Sequence, residues 1–381
     1  MINKIRVIPN SGIYKKKESF FVINTMKFFF LDLVENSNKK IQIIAVSLNF
    51  QNNHYLDEIC HEKIKIDVPF NYSSNKFFNI FNYNKLFFSY IFSFFFKKHT
   101  FHYAFFPGNI PLINIYFALI FNKKFGLYVR GSLNQEGSLK TILYNYAIKR
   151  SKFCLVTGQK LLEEVSEIND KTEVVSAMIN YSKNDLSNES NFIQKKDKFR
   201  FLYVGRISRD KGIYDLLQAF NILKNNHKKI ELIIIGNIAL NEKDDISNYF
   251  KSNSSLDIDF RGAIKDSEEL KNEYLKSDCF VLPSHHEGFP RVLYESMIFK
   301  TPIITSDLPG ICHEMIHNVN CIKYPVANIK SLTDSMSQVI NNMSLRSRIC
   351  EGGARFMDDY FKKSKGSHGL QVLQMINKYV D

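Results

Sequence analysis

The stretch EGFPRVLYE, residues 287–295, decides how this chain is read. It sets two glutamates eight positions apart, with a glycine, an aromatic residue and a proline between them. SDCFVLPSHH (277–286) before it reads as a buried strand running into a loop, and SMIFKTPIITS (296–306) after it as a helix leading into another strand. Pro290 suits a first helical position, because the N–H it lacks would have no partner there. The N–H groups of Gly288, Phe289, Arg291 and Val292 can then point out of the helix start as an anion site reinforced by the helix dipole. Gly288 lets a ligand approach the backbone closely. A diphosphate held there would carry different sugars on its two sides. Glu287, in the loop, can accept hydrogen bonds from one sugar, and Glu295, roughly 8 Å further along by helical rise, from the other. Carboxylates that far apart are not an acid–base pair; they grip opposite ends of a nucleotide sugar.

Two further junctions carry unusual residues and are expected on the same sheet edge. In YVGRISRDKG (203–212) Gly205 ends a strand, Arg206 and Lys211 sit in the loop, and Gly212 precedes a helix. In SDLPGICHE (306–314) Gly310 is expected to open another helix. Arg206 and Lys211 would neutralise a diphosphate and the charge that develops as it leaves, work that a bound metal does elsewhere.

The 381 residues allow two domains with ample cores. The formal net charge of +13 is unevenly spread: residues 1–190 carry 24 Lys+Arg against 15 Asp+Glu, and residues 191–381 carry 27 against 23. No acidic residue occurs between Asp67 and Glu136, a one-signed stretch that favours an anionic partner. A bias toward Lys, Asn, Ile and Phe together explains it equally well. The six cysteines form no C-x-x-C pair, and several sit in apolar runs, as reduced thiols do. The opening MINKIRVIPNSG lacks the apolar core of a signal peptide, and LFFSYIFSFFF (86–96) is too short for a bilayer. A cytoplasmic location follows as the expectation, without a membrane-spanning segment.

Strand-like and helix-like stretches alternate in both halves, which argues for parallel sheets covered by helices. In the first half KIRVIPN, KIQIIAVSL, FHYAFFPGN, KFGLYVRGS and KFCLVTG read as strands. KKKESFFVINTMKFFFLDLVEN (15–36) reads as one amphipathic helix. The polar segment 182–198 is the best linker, and the pattern restarts after it with FRFLYVG, IELIIIG, IDFRG, CFVLPS and PIITS. The expected division is therefore an N-terminal Rossmann-like domain over 1–185 and a second over 198–355, with the final helix 364–381 packing back on the first.

At VGRISRDKG, EGFPRVLYE, SDCFVLPS and TPIITSDLPG the chain resembles the retaining glycosyltransferases of family 4 (glycosyl transferases group 1). The resemblance implies the α/β GT-B fold, two doubly wound domains facing across a cleft, the first taking the acceptor and the second the nucleotide sugar. It implies transfer of a sugar from a nucleotide donor with retention of configuration and without a metal or other cofactor. Carried over, Arg206 and Lys211 bind the diphosphate, Glu287 contacts the donor sugar, Glu295 the ribose, and Arg261, Gly262, Ala263 and Ile264 the base. Gly205, Gly288, Phe289, Pro290, Gly310 and His286 complete the donor pocket. The chain departs from the family pattern in having only Gly12 in PNSGIY and Arg130 in YVRGS, where relatives carry a Gly-Gly pair and a histidine. Arg130 and Gly12 are expected to touch the donor phosphates or an acceptor diphosphate.

HEMIH (313–317) matches the zinc motif H-E-x-x-H, but without further ligands a solvated helix face is the expectation. The Phe-rich basic stretches 20–30 and 77–98 suit either a core or a peripheral contact with an anionic membrane surface. No recognition motif for nucleic acid accompanies the charge. The expected partners are a nucleotide sugar, UDP-linked in preference, and a glycan or lipid-linked saccharide of a bacterial surface polysaccharide such as capsule or O-antigen. A nucleotide-sugar 2-epimerase of the same fold and a non-catalytic glycosyltransferase-like subunit remain as alternatives.

Overall fold

The computed structural model describes residues 2–10, 12–45, 47–49, 56–67, 99–130, 139–175, 179, 181–186, 197–239, 242–252, 257–264, 266–287 and 290–381. The chain divides into two compact units, Met1–Met178 with Lys365–Asp381, and Ile179–Ser364.

The first unit contains β1 (Lys4–Ile8), β2 (Ile13–Lys16), β3 (Ser19–Ile23), β4 (Lys40–Ile44), β5 (Ser47–Asn49), β6 (Leu56–Glu58), β7 (Ile64–Asp67), β8 (Thr100–Phe106), β9 (Phe125–Val129), β10 (Cys154–Val156) and β11 (Thr172–Val174). Seven of these form a parallel sheet in the order β11-β10-β9-β8-β1-β4-β7. Every residue of β8 and β9 is buried, as continuous apolar runs require when both faces are covered. Alternate side chains of β8 serve opposite cores. Phe101, Tyr103 and Phe105 pack with Phe29, Phe30, Val372 and Ile376 of the helices Asn24–Glu35 and His368–Tyr379. Ala104 and Phe106 pack with Ile115, Ile148 and Val165 of the helices Asn109–Ile120, Leu139–Arg150 and Gly158–Ser166.

The segment 15–36 is not one helix. β2 and β3 form an antiparallel hairpin inside a small sheet, β5-β2-β3-β6, and the helix begins only at Asn24. The hairpin turns through Lys17 at φ 53°, a position usually given to glycine or asparagine, so its sequence carries no turn signature.

The helix His368–Tyr379 returns to the first unit and docks on Asn24–Glu35. Asp32 accepts hydrogen bonds from Ser367 Oγ and from the Leu370 N–H. Tyr103 Oη and His368 Nε2 lie 2.8 Å apart among Phe29, Phe105 and Tyr128. Burial, and then the charge of Arg130, push the His368 imidazole down to about 3, so it is neutral at ordinary pH.

The second unit contains β12 (Phe199–Val204), β13 (Ile230–Ile235), β14 (Ile258–Gly262), β15 (Cys279–Leu282), β16 (Ile303–Ser306) and β17 (Ile322–Tyr324), parallel throughout in the order β14-β13-β12-β15-β16-β17. Renumbered from its own first strand, that order is 3-2-1-4-5-6, the Rossmann order, and the first unit's sheet follows it with one added strand. Helices Ile213–Asn226, Lys243–Ser252, Ser267–Lys276 and Arg291–Ile298 connect the strands. The short strand β17 and the helices Ile329–Asn341 and Met343–Lys363 were not anticipated from the sequence.

The docking of the last helix leaves a side chain at position 369 no room unless Asp32 moves. A Cβ on Gly369 would lie 2.3 Å from Asp32 Oδ2, an oxygen already held by Ser367 and Leu370. Gly369→Ala should therefore destabilise the first unit by about 1–3 kcal/mol, the usual cost of overpacking. Urea unfolding checks this, and an unchanged midpoint would show that Asp32 can turn away freely.

Candidate functional site

In an all-parallel sheet every strand hands its chain to a loop on the same edge. In the second unit the strand order reverses between β12 and β15, and a reversal of that kind opens a crevice at the carboxyl ends. The loop 205–212 leaves β12 and the loop 283–290 leaves β15, so the two reach the reversal from adjacent strands.

These loops are joined by named contacts. Lys211 Nζ donates to Glu287 Oε1 at 2.7 Å and to the His286 carbonyl at 3.2 Å. Ser284 Oγ donates to the same glutamate oxygen at 3.0 Å. The His285 N–H donates to the Asp210 carbonyl at 3.0 Å, and His285 Nε2 lies 2.7 Å from Asp215 Oδ2 on the following helix. Gly212, at φ 65°, makes the approach possible, since a Cβ there would lie 1.9 Å from the Pro283 carbonyl oxygen. Beneath the first loop the buried Tyr203 hydroxyl donates to the Arg206 carbonyl at 2.6 Å. Burial holds that phenol well above its usual pKa, so it remains a donor.

Arg206 Nη2 pairs with Asp210 Oδ2 at 2.9 Å, but both side chains are about half exposed (59% and 45%). Lys211 and Glu287 are far more enclosed, 20% and 17% exposed. An open ion pair is worth little and exchanges partners readily, whereas an enclosed one persists. The loop therefore offers one cation that is easily re-aimed and one that is held.

Glu295 lies inside the helix Arg291–Ile298, half-buried, with Tyr274 Oη donating to its Oε2 at 3.0 Å. Burial raises its pKa, with the Arg291 charge and the Tyr274 bond opposing the rise. Pro290 is the cap preceding this helix and not its first residue, and its side chain makes no capping hydrogen bond. Gly288 and Phe289 lie outside the described residues. Gly205 follows β12, Arg261 and Gly262 end β14, and Ala263 and Ile264 follow them, all on the same edge. The Arg261 guanidinium is turned to Asp259 (2.8 Å) and the buried Glu273 (2.6 Å). His286 is exposed, and His285 is the histidine tied into the loop network. Gly310 opens no α-helix; Pro309–Ile311 is a single 3-10 turn. Arg130 and Gly12 belong to the first unit, where the Arg130 guanidinium lies 5.6 Å from the Phe105 ring centroid and 5.9 Å from that of Tyr128.

HEMIH is not helical either. Its residues run through a turn, and His317 Nδ1 accepts from the Lys323 N–H at 2.9 Å, so the i,i+4 face that a zinc pair needs is not formed. The D-x-D at Asp257–Ile258–Asp259 sits at the start of β14, away from the carboxyl edge, with Asp257 bound by Lys198 and Lys224. Sequence reading missed Asp210, Asp215, Tyr274 and Ser284. Asp210 had a local signal, four residues after Arg206; Tyr274 and Asp215 meet their partners only through the fold.

Residues 186–356 match the family model described as glycosyl transferases group 1. The matched stretch is somewhat under half of the chain and covers every strand of the second unit's sheet. The capsular polysaccharide biosynthesis glycosyltransferase CapM of Staphylococcus aureus is 28% identical over 165 residues, 43% of each chain. The O-antigen chain mannosyltransferase RfbU of Salmonella typhimurium is 27% identical over 219 residues, 52% of this chain and 57% of that one. The chain thus spans about half the length of the curated relatives it matches. The crystal structure of Anabaena Alr3699/HepE in complex with UDP aligns over 98% of both chains with a TM-score of 0.67 at 15% identity, a likeness of fold. The fold is GT-B, as the sequence motifs implied.

The buried carboxyl in this site gives a test on the unliganded protein. Because folding raises the Glu295 pKa, its contribution to stability is fully present below the ordinary glutamate value of 4.5 and is lost as pH rises through the folded value. Glu295→Gln keeps an acceptor for Tyr274 and has no proton to lose. The variant should match wild type in stability below about pH 4.5 and exceed it increasingly toward neutrality. Denaturation midpoints across pH check this; parallel pH curves would show that the carboxylate pays no desolvation cost.

Proposed function

We propose that the protein is a retaining glycosyltransferase that moves a sugar from a UDP-sugar to a glycan or lipid-linked saccharide during synthesis of a bacterial surface polysaccharide. The observation that carries the reading is the coupling of Lys211 to Glu287 at the strand-order reversal, with Arg206 on the same loop and the start of the helix Arg291–Ile298 following it. Support for the donor comes from the UDP bound in the structure of similar fold, and for the pathway from the capsular and O-antigen names of the relatives.

In this reading the diphosphate draws Arg206 from its exposed pairing with Asp210 and sits against Lys211 and the helix start. Glu287, its carboxylate fixed by Lys211 and Ser284, accepts from hydroxyls of the donor sugar. Glu295 accepts from the ribose, whose hydroxyls supply the donors that an ionised buried carboxylate lacks. Backbone over 261–264 meets the base, and Gly205, Gly288, Phe289, Pro290, His286 and Gly310 line the pocket. Arg130 and Gly12 serve phosphate or acceptor from the first unit.

The acceptor oxygen forms a bond to the anomeric carbon as the bond to the diphosphate oxygen breaks, and the acceptor proton passes to the leaving phosphate on the same face. Fixed cations stabilise the departing charge, so the reading assigns no metal and no other cofactor. A peripheral contact with an anionic membrane surface would bring the enzyme to a lipid-linked acceptor.

Arg206→Ala and Lys211→Ala should each weaken UDP binding by ~1.5–3 kcal/mol, the range of a hydrogen bond to a charged group. Calorimetric titration checks this, and unchanged affinity in both variants would move the diphosphate elsewhere. Glu287→Gln should retain UDP binding and abolish transfer, because that carboxylate grips the sugar and not the nucleotide. Near-normal turnover of a UDP-sugar panel by this variant would remove the role. Conversion of the donor to an epimer with no acceptor present would replace transferase by epimerase.

A further inference from the structure

Five of the fourteen large apolar side chains exposed among the described residues lie on two successive helices of the first unit. On Leu139–Arg150 these are Ile142 (64% exposed), Leu143 (45%) and Tyr146 (52%); on Asn109–Ile120 they are Tyr116 and Ile120, each 57%. Both helices are crossovers that step in the same direction along β8, β9 and β10. They therefore lie on one face of the sheet, and their inward residues share one core. Ile142 and Leu143 stand four and three residues before Tyr146, and Lys149 and Arg150 three and four after it, so apolar side chains and cations follow one another along a single exposed stripe. Tyr116 and Ile120 form a second stripe with the same spacing.

Neither helix contains an aspartate or glutamate, and both fall in a region, Asp67 to Glu163, whose only acidic residue between those ends is Glu136. Acidic side chains return on the third helix of the same layer, Gly158–Ser166, with Glu163 and Glu164, which bounds the patch. Among the described residues no helix is long and apolar enough to cross a membrane. An exposed layer of isoleucine, leucine and tyrosine that runs into Lys149 and Arg150 complements a surface that is apolar a few ångströms below an anionic rim. Tyrosine also favours that boundary, with its ring in the apolar zone and its hydroxyl in the headgroups.

We propose that the outer face of the helices Leu139–Arg150 and Asn109–Ile120 docks on an anionic lipid surface, with Ile142, Leu143 and Tyr146 entering the interface and Lys149 and Arg150 meeting phosphate headgroups. The inference deepens the membrane contact proposed above and rests on that reading for why a membrane is visited. Its geometry uses none of the donor-site residues. It also differs from the stretches singled out by composition. In 20–30, Phe29 and Phe30 are buried and only Phe28 is strongly exposed, while 77–98 lies outside the described residues.

The test is co-sedimentation of the full chain with vesicles of phosphatidylcholine alone, or with about one-third phosphatidylglycerol to give a negative surface potential. Wild type should sediment with the anionic vesicles, weakly with the neutral ones, and be released by salt. The triple variant Ile142→Ser, Leu143→Ser, Tyr146→Ser, and separately the pair Lys149→Glu, Arg150→Glu, should each lower partitioning by about tenfold or more, from lost apolar burial and lost headgroup attraction. Thermal melting and UDP binding of both variants should stay at wild-type values, which separates lost docking from lost folding. The proposal is overturned if wild type stays in the supernatant with anionic vesicles, or if both variants sediment as wild type does. It is also overturned by a wild-type dimer that the triple variant loses, without any vesicle binding, since the face would then belong to a second copy of the chain. Vesicle binding by a wild-type protein that fails to bind UDP would support the docking face and remove the donor reading instead.

Discussion

The contact between Lys211 and Glu287 ties together the two central loops of the second unit's carboxyl edge. It bridges the loops of two neighbouring strands at the point where the strand order reverses, which is where a parallel sheet leaves a crevice. The sheet alone sets those loops side by side without fixing which way their charges point. Gly212 removes the side chain that would keep the loops apart, and the His285 N–H bond to Asp210 closes the backbone. Lys211 then settles between two acceptors of the opposite loop. Each step needs the previous one, so the orientation of Glu287 reports the whole arrangement.

That arrangement pairs its own charges before any ligand arrives. Arg206 rests on Asp210 and Lys211 on Glu287, at different depths. Under the proposed reading, an anion entering the crevice would compete first with the shallow pair, where solvent has already weakened the bond, and leave the enclosed pair to orient the carboxylate. Glu295 is the opposite case: a carboxyl lifted above its usual range by burial and given one hydroxyl donor, Tyr274. An acceptor with one donor at one end and an exposed, exchangeable cation at the other are the two features on which the proposed fit to hydroxyls and a diphosphate rests.

Much of this was legible in the sequence because parallel sheets write themselves as buried runs followed by polar loops. CFVLPS, PIITS and FRFLYVG announce strands, and the glycines and cations after them announce the edge. What was not legible depends on contacts between distant positions or on turns without their usual residues. The hairpin at 13–23 turns through a lysine, so its strands merged by pattern with the helix behind them. Tyr274 lies 21 residues from Glu295 and Asp215 lies 70 from His285, and no spacing rule joins such pairs. HEMIH shows the reverse error, a local spacing that means something only on a helix, in a segment whose chain turns instead.

Composition can be apportioned in the same way. An excess of phenylalanine and lysine could arise from biased codon usage or from selection for a surface, and the fold separates the two by position. Phe29, Phe30, Phe101, Phe105, Phe106 and Phe153 are fully enclosed around the first sheet, where aromatic volume fills the space between sheet and helices. Those residues are accounted for by packing and say nothing about a partner. Ile142, Leu143 and Tyr146 have no such account. They occupy the solvent side of a helix whose inner side, Ala147 and Ile148, is already satisfied by the core. Apolar side chains gathered on the outer side of a helix, with the inner side already packed, are the kind of patch that marks an interaction surface, and the docking proposal rests on that clustering.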